Sequence, residues 1–459
     1  MKSGKYTKWN NRWANALAVA FWLMVWQLAA TAIGQKLFLV SPLAVCATLA
    51  RLLPTAGFWA TVAFSAGRII GGFLLAAVCG VLLAGLAAWM PPVRALLRPL
   101  MLTVRSIPVA SFIILALLWL KNAGNLAVFI SFLMVLPVVY TNVLEGLGRV
   151  DGKLLEMARV FGLTGWGKVR YLYVPAALPS FTAACRVGLG LCWKSGVAAE
   201  VIGITRGSIG EKLYDAKLLF DTAELLAWTV VIVLLSLAFE KLFLRALAAA
   251  VRPVHRVRGP VCRPAQSGTP AAVGVEGVTL RYGAQTVLEQ VTVRFPREAP
   301  VCVMAPSGRG KTTLLRVLLG LEKPQAGRAE TGGARIAAAF QEDRLLEGLT
   351  ALDNVRLVCG FGRRELLDAF AEVGLGPAEA DKPAGALSGG QQRRVAVLRT
   401  VLAQGCGAVV LDEPFKGLDD GAKARTAAFV LRACKGRPLA VVTHEEEDAA
   451  LLGAEIVVL

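Results

Sequence analysis

Lys311 and Thr312 close a glycine-bearing stretch, APSGRGKTT at positions 305–313, set between the apolar run VCVM and the helical run LLRVLLGL. That order predicts strand, loop and helix, which bring backbone N–H groups and a helix N-terminus to one point, the arrangement that phosphate oxygens need. Ser307, Gly308, Arg309, Gly310 and Thr313 complete the loop; Lys311 would reach the terminal phosphates and Thr312 would bind Mg2+. Ala305 stands where the usual GxxxxGK[ST] spacing has its first glycine, while Gly308 and Gly310 are kept for close backbone approach. Further on, GAVVLDEP at 407–414 runs apolar residues straight into Asp412 and Glu413. A buried parallel strand delivers its last side chains at the edge of the sheet where ligands sit, so Asp412 is placed to hold Mg2+ and Glu413 to polarise an attacking water. Alone, an acidic pair after a strand is an ordinary solvated strand end. A second phosphate grip is written in ALSGGQQRRVAV at 386–397, where Ser388, Gly389, Gly390 and Gln391 open an amphipathic run. Its N–H groups and dipole would face an anion. A plain serine N-cap explains Ser388 but not both glycines.

These residues need a scaffold, and hydropathy divides the chain near residue 250. With 459 residues, 56% of them hydrophobic, and a mean hydropathy of +0.58, the chain exceeds what a soluble globule needs and is long enough for two or three domains. Uncharged or nearly uncharged stretches fall at residues 16–33, 60–89, 108–120, 125–144, 178–204 and 223–244. Six bilayer spans are expected, the third of them short. The run from Trp13 to Gln35 reads as a retained anchor rather than a cleaved signal. Putting both ends of this half in the cytoplasm gathers Lys2, Lys5, Lys8, Arg12, Arg94, Arg98, Arg105, the run from Arg149 to Arg170, Arg245, Arg252, Arg256 and Arg258 inside. Lys36, Arg51, Lys121, Arg206, Lys212 and Lys217 fall outside. The formal charge of +18 is then largely accounted for by membrane flanks, and no aromatic-interleaved basic patch points to nucleic acid. The nine cysteines show no CxxC and no metal-type spacing; Cys185 and Cys192 read as packing residues.

Residues 252–272 are rich in Pro, Arg and Gly without an apolar period and read as a linker in which His255 is solvated filler. Beyond it, VEGVTLRY, APVCVM, ARIAAAF, AVVLDEP and PLAVVTHE alternate with helical runs, which predicts a parallel-type α/β sheet. The expected fold is therefore multi-domain: an all-α, six-span transmembrane domain at 1–251, the linker at 252–272, and an α/β P-loop domain at 273–459.

LSGGQQRR resembles the signature motif of ATP-binding cassette ATPases, and the other parts follow in that family's order. Tyr282 precedes the phosphate loop as the aromatic that stacks on adenine. Gln341 in AFQEDR matches the Q-loop, Asp419 in GLDD the D-loop, and His444 in VVTHE the switch histidine. The resemblance spans roughly residues 274–459 and implies ATP with Mg2+, the metal held by Thr312, Gln341 and Asp412, and hydrolysis carried by Glu413, His444 and Lys311. It also implies that Ser388 to Gln391 of one copy bind the γ-phosphate of ATP on the phosphate loop of another, so a functional unit contains two chains.

LLEMARVFGLTGWGKVRYLYVPAALP at 154–179 is similar to the EAA loop of binding-protein-dependent import permeases, with Glu156, Ala158 and Gly162 in register. In that family the loop seats a short helix against the ATPase and couples the two; otherwise it is a basic amphipathic surface helix. The wider run resembles the nitrate, sulfonate and taurine type of permease at SPLAV, RSIPVASFIILALLWL and WKSGVAAEVIG. Arg186, Lys194 and Glu200 fall inside the fifth span, where ionisable groups must face a cavity, a partner helix or one another. All three are read as translocation-path residues, with Lys194 lining the path and favouring an anion, beside the alternative of structural pairing across spans. Six residues apart, Lys194 and Glu200 share no helix face. The expected protein is a dimerising importer half in a bacterial plasma membrane, ATPase inside, served by an extracytoplasmic solute-binding protein. An exporter half and an ATP-sensing membrane regulator remain the alternatives.

Overall fold

The computed structural model describes residues 11–35, 37–120, 123–251, 257, 259–263, 268–283, 285–306 and 309–459. Lys2, Lys5, Lys8, Lys36, Lys121, Arg252, His255, Arg256, Arg258, Ser307 and Gly308 lie outside the described residues. The chain forms two compact units, Met1–Gly148 with Ala177–Ala249, and Arg149–Ala176 with Ala250–Leu459.

Along the chain the helices are α1 (Asn11–Ile33), α2 (Pro42–Leu52), α3 (Ala56–Trp89), α4 (Pro91–Ser106), α5 (Val109–Trp119), α6 (Leu126–Gly148), α7 (Gly152–Val160), α8 (Gly165–Lys168), α9 (Val174–Ile202), α10 (Ile209–Leu218) and α11 (Thr222–Val251). Among the described residues, five segments are long and apolar enough to cross a membrane, or six if the bent pair α4 and α5 counts as one. The expected third span at 108–120 is α5, 11 residues long and bent by 107° from α4. Pro108 is the cause: it drives Ile107 out of the helical region to ψ 132°, and the helix stops there. Helix α3 is the spine of this unit. Gly72 lets α6 come close, because a Cβ there would lie 2.5 Å from the carbonyl oxygen of Val128, the small-residue packing typical of apolar helices. Ile69, Phe73 and Ala76 of α3 then close a core with Val135, Val139, Leu189 and Trp193.

The second unit holds two sheets. Strands β1 (Ala272–Tyr282), β2 (Gln285–Pro296), β3 (Val301–Met304), β4 (Ala326–Glu330), β5 (Ile336–Ala339), β6 (Ala408–Asp412), β7 (Leu439–Thr443) and β8 (Glu455–Val458) divide into the orders β2-β1-β4 and β5-β6-β7-β3-β8. The second sheet is the expected parallel one. The stretch VEGVTLRY departs from the expectation: it lies in β1, paired antiparallel with β2 and β4. Its mixed exposure differs from the fully buried β5, β6 and β7, which suits a sheet with one wet face. Helices α12 (Lys311–Leu318), α13 (Ala351–Arg356), α14 (Arg363–Glu372), α15 (Pro377–Ala380), α16 (Gly389–Val401), α17 (Asp420–Ala433) and α18 (Glu446–Leu452) complete the unit. Because β6, β7 and β3 are neighbours, their C-terminal ends bring Asp412, Thr443 and Met304 to one edge, and the chain leaving each strand supplies the site.

Candidate functional site

The loop after β3 is built by its glycine and its lysine. Gly310 caps α12 at φ 89°, and a Cβ there would meet the carbonyl oxygen of Val287 and Cδ2 of Leu288, each at 2.9 Å. No other residue fits that turn without displacing β2. The Lys311 ammonium donates to the carbonyl oxygen of Ala305. Ala305 itself is buried and is not among the residues at positive φ, so its methyl meets no backbone demand that only glycine could satisfy. Arg309 donates its N–H to the carbonyl of Pro306, and Thr312 and Thr313 stand in the first turn of α12.

Asp412 ends β6 with 4% of its surface exposed. Burial, with the neighbouring Glu413 charge, pushes its carboxyl up to about 6, and the opposing effects of Arg393, Lys311 and the Thr312 hydroxyl do not restore it. Thr312, Gln341 and Asp412 line one cavity of about 160 Å³ together with Lys153, Arg316 and Arg344. Hydroxyl, amide and carboxylate oxygens around one space are the hard donors a magnesium ion takes, so the residues fit that ion.

Glu413 follows at φ 47°, in the left-handed region that costs a residue with a Cβ about 1 kcal/mol or more. Its N–H donates to the carbonyl of Val442 at 2.7 Å. Lys416 Nζ lies 2.8 Å from one carboxylate oxygen and His444 Nδ1 lies 3.3 Å from the other. Burial works to raise the Glu413 carboxyl, but Lys416 and His444 outweigh it and hold the group below the ordinary glutamate value. Lys416 was not legible beforehand; its i,i+3 spacing from Glu413 is the one signal that could have pointed to it.

Ser388 caps α16, and its side chain and that of Gln391 each accept the other's backbone N–H, at 3.4 and 3.0 Å. Gly390 faces the carbonyl of Gly417, which a Cβ would approach to 3.1 Å, whereas a Cβ on Gly389 would meet open space. The side chain of Asp419 accepts from the N–H of Ala422 and caps α17. Tyr282 is half exposed at the end of β1.

Two arginines of α16 went unnoticed in the sequence. Arg393, 3% exposed, donates to the carbonyls of Phe340, Asp412 and Glu413 and pairs with Asp343 at 2.9 Å. Arg399, fully buried, donates to the carbonyls of Asp343 and Arg344, both at 2.8 Å; burial pulls its guanidinium down to about 10. Together they bolt the glycine-opened helix to the segment after β5 and to the acidic end of β6.

The 149–176 segment meets the same segment from the other side. In α7, Met157 and Ala158 are buried in one cluster with Val273, Leu314 and Val358. Glu156 takes a two-pronged pair with Arg316 of α12, at 2.8 and 3.1 Å, and a further hydrogen bond from Arg344 at 2.9 Å. Gly162 ends the helix at φ 66°. In the membrane unit, Arg186 and Lys194 lie exposed on α9. Glu200 is fully buried, accepting from Ser65 Oγ at 2.8 Å and from the Gly210 N–H at 3.2 Å. Among the described residues no ion pair joins Lys194 to Glu200.

Fold and site together define a nucleotide-driven membrane protein, a P-loop ATPase on one chain with a unit of apolar helices. The profile described as "Binding-protein-dependent transport system inner membrane component" matches residues 76–254, and that described as "ABC transporter" matches residues 288–416. Among relatives, "Aliphatic sulfonates import ATP-binding protein SsuB 1" of Rhodococcus jostii is 38% identical over 190 residues, 40% of this chain and 77% of that protein. "Aliphatic sulfonates import ATP-binding protein SsuB 3" of Paraburkholderia xenovorans is 39% identical, over 42% of this chain and 78% of its own length. A solved dimeric bacterial ABC transporter cassette is 27% identical, covering 41% of this chain and 94% of its own at a TM-score of 0.36. The chain belongs to the ABC transporter family. It is an integral membrane importer with permease and ATPase regions on one polypeptide, and it binds and hydrolyses ATP in coupling to transport.

Proposed function

We propose that two copies of this chain form an importer for a small solute that carries an oxyanionic group, of the sulfonate, taurine or nitrate kind, delivered by a separate extracytoplasmic binding protein. The permease domain is 1–251, the linker 252–272 and the cassette 273–459, set in a bacterial inner membrane with both termini cytoplasmic. The observation that carries this reading is the forked pair of Glu156 with Arg316: a carboxylate of the 149–176 segment grips the same helix that begins with Lys311 and Thr312. Movement at the nucleotide is then felt at the permease loop.

In this reading ATP lies on Arg309 to Thr313 and on Ser307 and Gly308, with adenine against Tyr282. Thr312, Gln341 and Asp412 hold Mg2+, which when bound supplies positive charge against the phosphates. Glu413 orients and deprotonates the attacking water, and His444 contacts the γ-phosphate. Ser388, Gly389, Gly390 and Gln391 of the second copy close over that phosphate, with Asp419 beside them. Gly389 supports this, since nothing among the described residues of its own chain requires a glycine there. Lys194 and Arg186, exposed on one span, support an anionic cargo, because cations cannot rest against lipid and favour a path or a partner. The relatives that import aliphatic sulfonates favour the same class.

Reconstituted chain tests the proposal directly. Its ATPase activity should rise severalfold when a sulfonate-loaded binding protein is added outside, and labelled taurine or alkanesulfonate should accumulate in the vesicles. Activity indifferent to every binding protein tried, with no accumulation, would leave the exporter or the regulator instead.

A further inference from the structure

The stretch that reads as a plain linker does a second job. Within residues 257–263 the described part runs as an extended strip between the 149–176 segment and the cassette, bonded on both sides. The N–H of Val261 donates to the carbonyl of Leu357, just past α13, at 2.9 Å, while its own carbonyl accepts from the N–H of Thr164 at 3.0 Å. The N–H of Arg263 donates to the carbonyl of Gly162, also at 3.0 Å, and its carbonyl accepts from Nη1 of Arg335 at 2.7 Å. Leu163 and Cys262 form an antiparallel bridge. Val257, 3% exposed, sits in the same apolar cluster as Met157, Ala158 and Val273, with Val261 and Cys262 packed against it. Gly167 leaves room for the strip: a Cβ there would stand 2.5 Å from Cγ1 of Val261.

We infer that this strip is a strap that fastens each chain's coupling loop to that chain's own cassette and stays fastened through the ATPase cycle. The inference rests on the reading of 154–179 as the coupling loop. Strand addition of this kind draws its affinity from main-chain hydrogen bonds, and here both edges of the added strand are used. A flexible tether would only raise the local concentration of one domain near the other. A strand covalently joined to the cassette and paired with the loop also decides which cassette the loop reads.

The Leu163 and Cys262 pair gives the test. The bonds of Thr164 to Val261 and of Arg263 to Gly162 flank it, so it is a non-hydrogen-bonded pair, whose Cα atoms approach to about 4.5 Å and suit a disulfide. Full-length Leu163→Cys, mildly oxidised in membranes, should cross-link to native Cys262 within one chain. It should run as a monomer on a denaturing gel, and Leu163→Cys with Cys262→Ser should not cross-link. ATPase activity of the locked protein should stay within about twofold of the reduced form. Failure to cross-link, cross-linked dimers, or turnover that stops on oxidation and returns on reduction would each overturn the strap. None of these readouts depends on which solute is carried, so they stand apart from the transport assay above. A size swap covers the case in which Leu163→Cys does not fold. Gly167→Ala should loosen the strip and speed tryptic cleavage at Lys168 in the full chain, and adding Val261→Ala should restore protection. Unchanged cleavage in the single variant, or no restoration in the double one, would count against the strap.

Discussion

Glu156 and Arg316 face each other fork to fork, with Nη2 on Oε1 at 2.8 Å and Nη1 on Oε2 at 3.1 Å. Both side chains are less than one-third exposed, and Arg344 adds a second cation to the same carboxylate. Two parallel bonds give direction as well as attraction, so a shift of α12 is carried to α7 rather than lost in side-chain motion. Glu156→Arg should therefore cut uptake by about tenfold or more while leaving basal ATPase within a few-fold, and the swap Glu156→Arg with Arg316→Glu should recover only part of it, because Arg344 and Glu322 stay beside the exchanged charges. Equal losses in uptake and basal ATPase would mean that the pair holds the fold and does not transmit.

The same pair sets an acid limit. The hydrogen bond from Arg316 is the largest influence on the Glu156 carboxyl; burial opposes it, Arg344 adds to it, and the group sits below its ordinary value of 4.5. A lowered carboxylate contributes stability that is complete above the unfolded value and is lost as the pH falls through the folded one. The protection of α7 from hydrogen exchange, relative to the free-peptide rate at each pH, should thus hold across the neutral range and fall only below 4.5. Glu156→Gln should remove that acid step.

Glu413 offers a cleaner separation of binding from chemistry. Its backbone is strained at φ 47° and its carboxylate is held between Lys416 and His444, so the amide of Glu413→Gln fits the same space without serving as a base. General-base catalysis contributes about 100-fold to 10,000-fold, and ATPase should fall by that order. Nucleotide affinity, measured by equilibrium binding, should change little. A variant that turns over normally would place the base elsewhere.

What could be read ahead of the structure was what lies close together in the chain. APSGRGKTT, LDEP and LSGGQ each carry their chemistry within a few consecutive residues, and the strands VCVM and AVVL announce themselves by unbroken apolar runs. The two-sheet division was less legible, because β1 pairs with β4 across some 50 residues and its exposed positions alternate irregularly around register shifts. Arg393 and Arg399 were hidden for another reason: an arginine on a helix is ordinarily a solvated face, and only the carbonyls of Phe340, Asp343 and Arg344, far off in sequence, make these two interior groups. The bend at Pro108 went unread: a proline ends a helix, but the angle at which the next one leaves depends on packing.

Arg393 should be the least replaceable of these. It satisfies three backbone carbonyls and one carboxylate in a nearly closed space, and lysine cannot reach them from one point charge. Arg393→Met should lower stability by about 3 kcal/mol, with Arg393→Lys giving little rescue. Thermal unfolding of the full chain in detergent measures both.

Glu200 and Lys194 share α9 but should fail in different ways. Glu200 is buried against Ser65, whose hydroxyl in turn accepts the N–H of Ile209, so the carboxylate and the serine together tie α3 to the start of α10. Gly210 presses on the same spot: a Cβ there would lie 2.3 Å from Cβ of Glu200. Removing the carboxylate in Glu200→Ala strands two donors in the interior, at about 1–3 kcal/mol, and should reduce folded protein for any cargo. Lys194 lies exposed on the helix, and among the described residues no hydrogen bond or ion pair holds it, so Lys194→Met should fold normally. Its expected effect is on the solute, a higher KM for an anionic sulfonate and a smaller change for a zwitterion such as taurine. Uptake and anion preference both unchanged in Lys194→Met would remove Lys194 from the path while leaving the role of Glu200 intact.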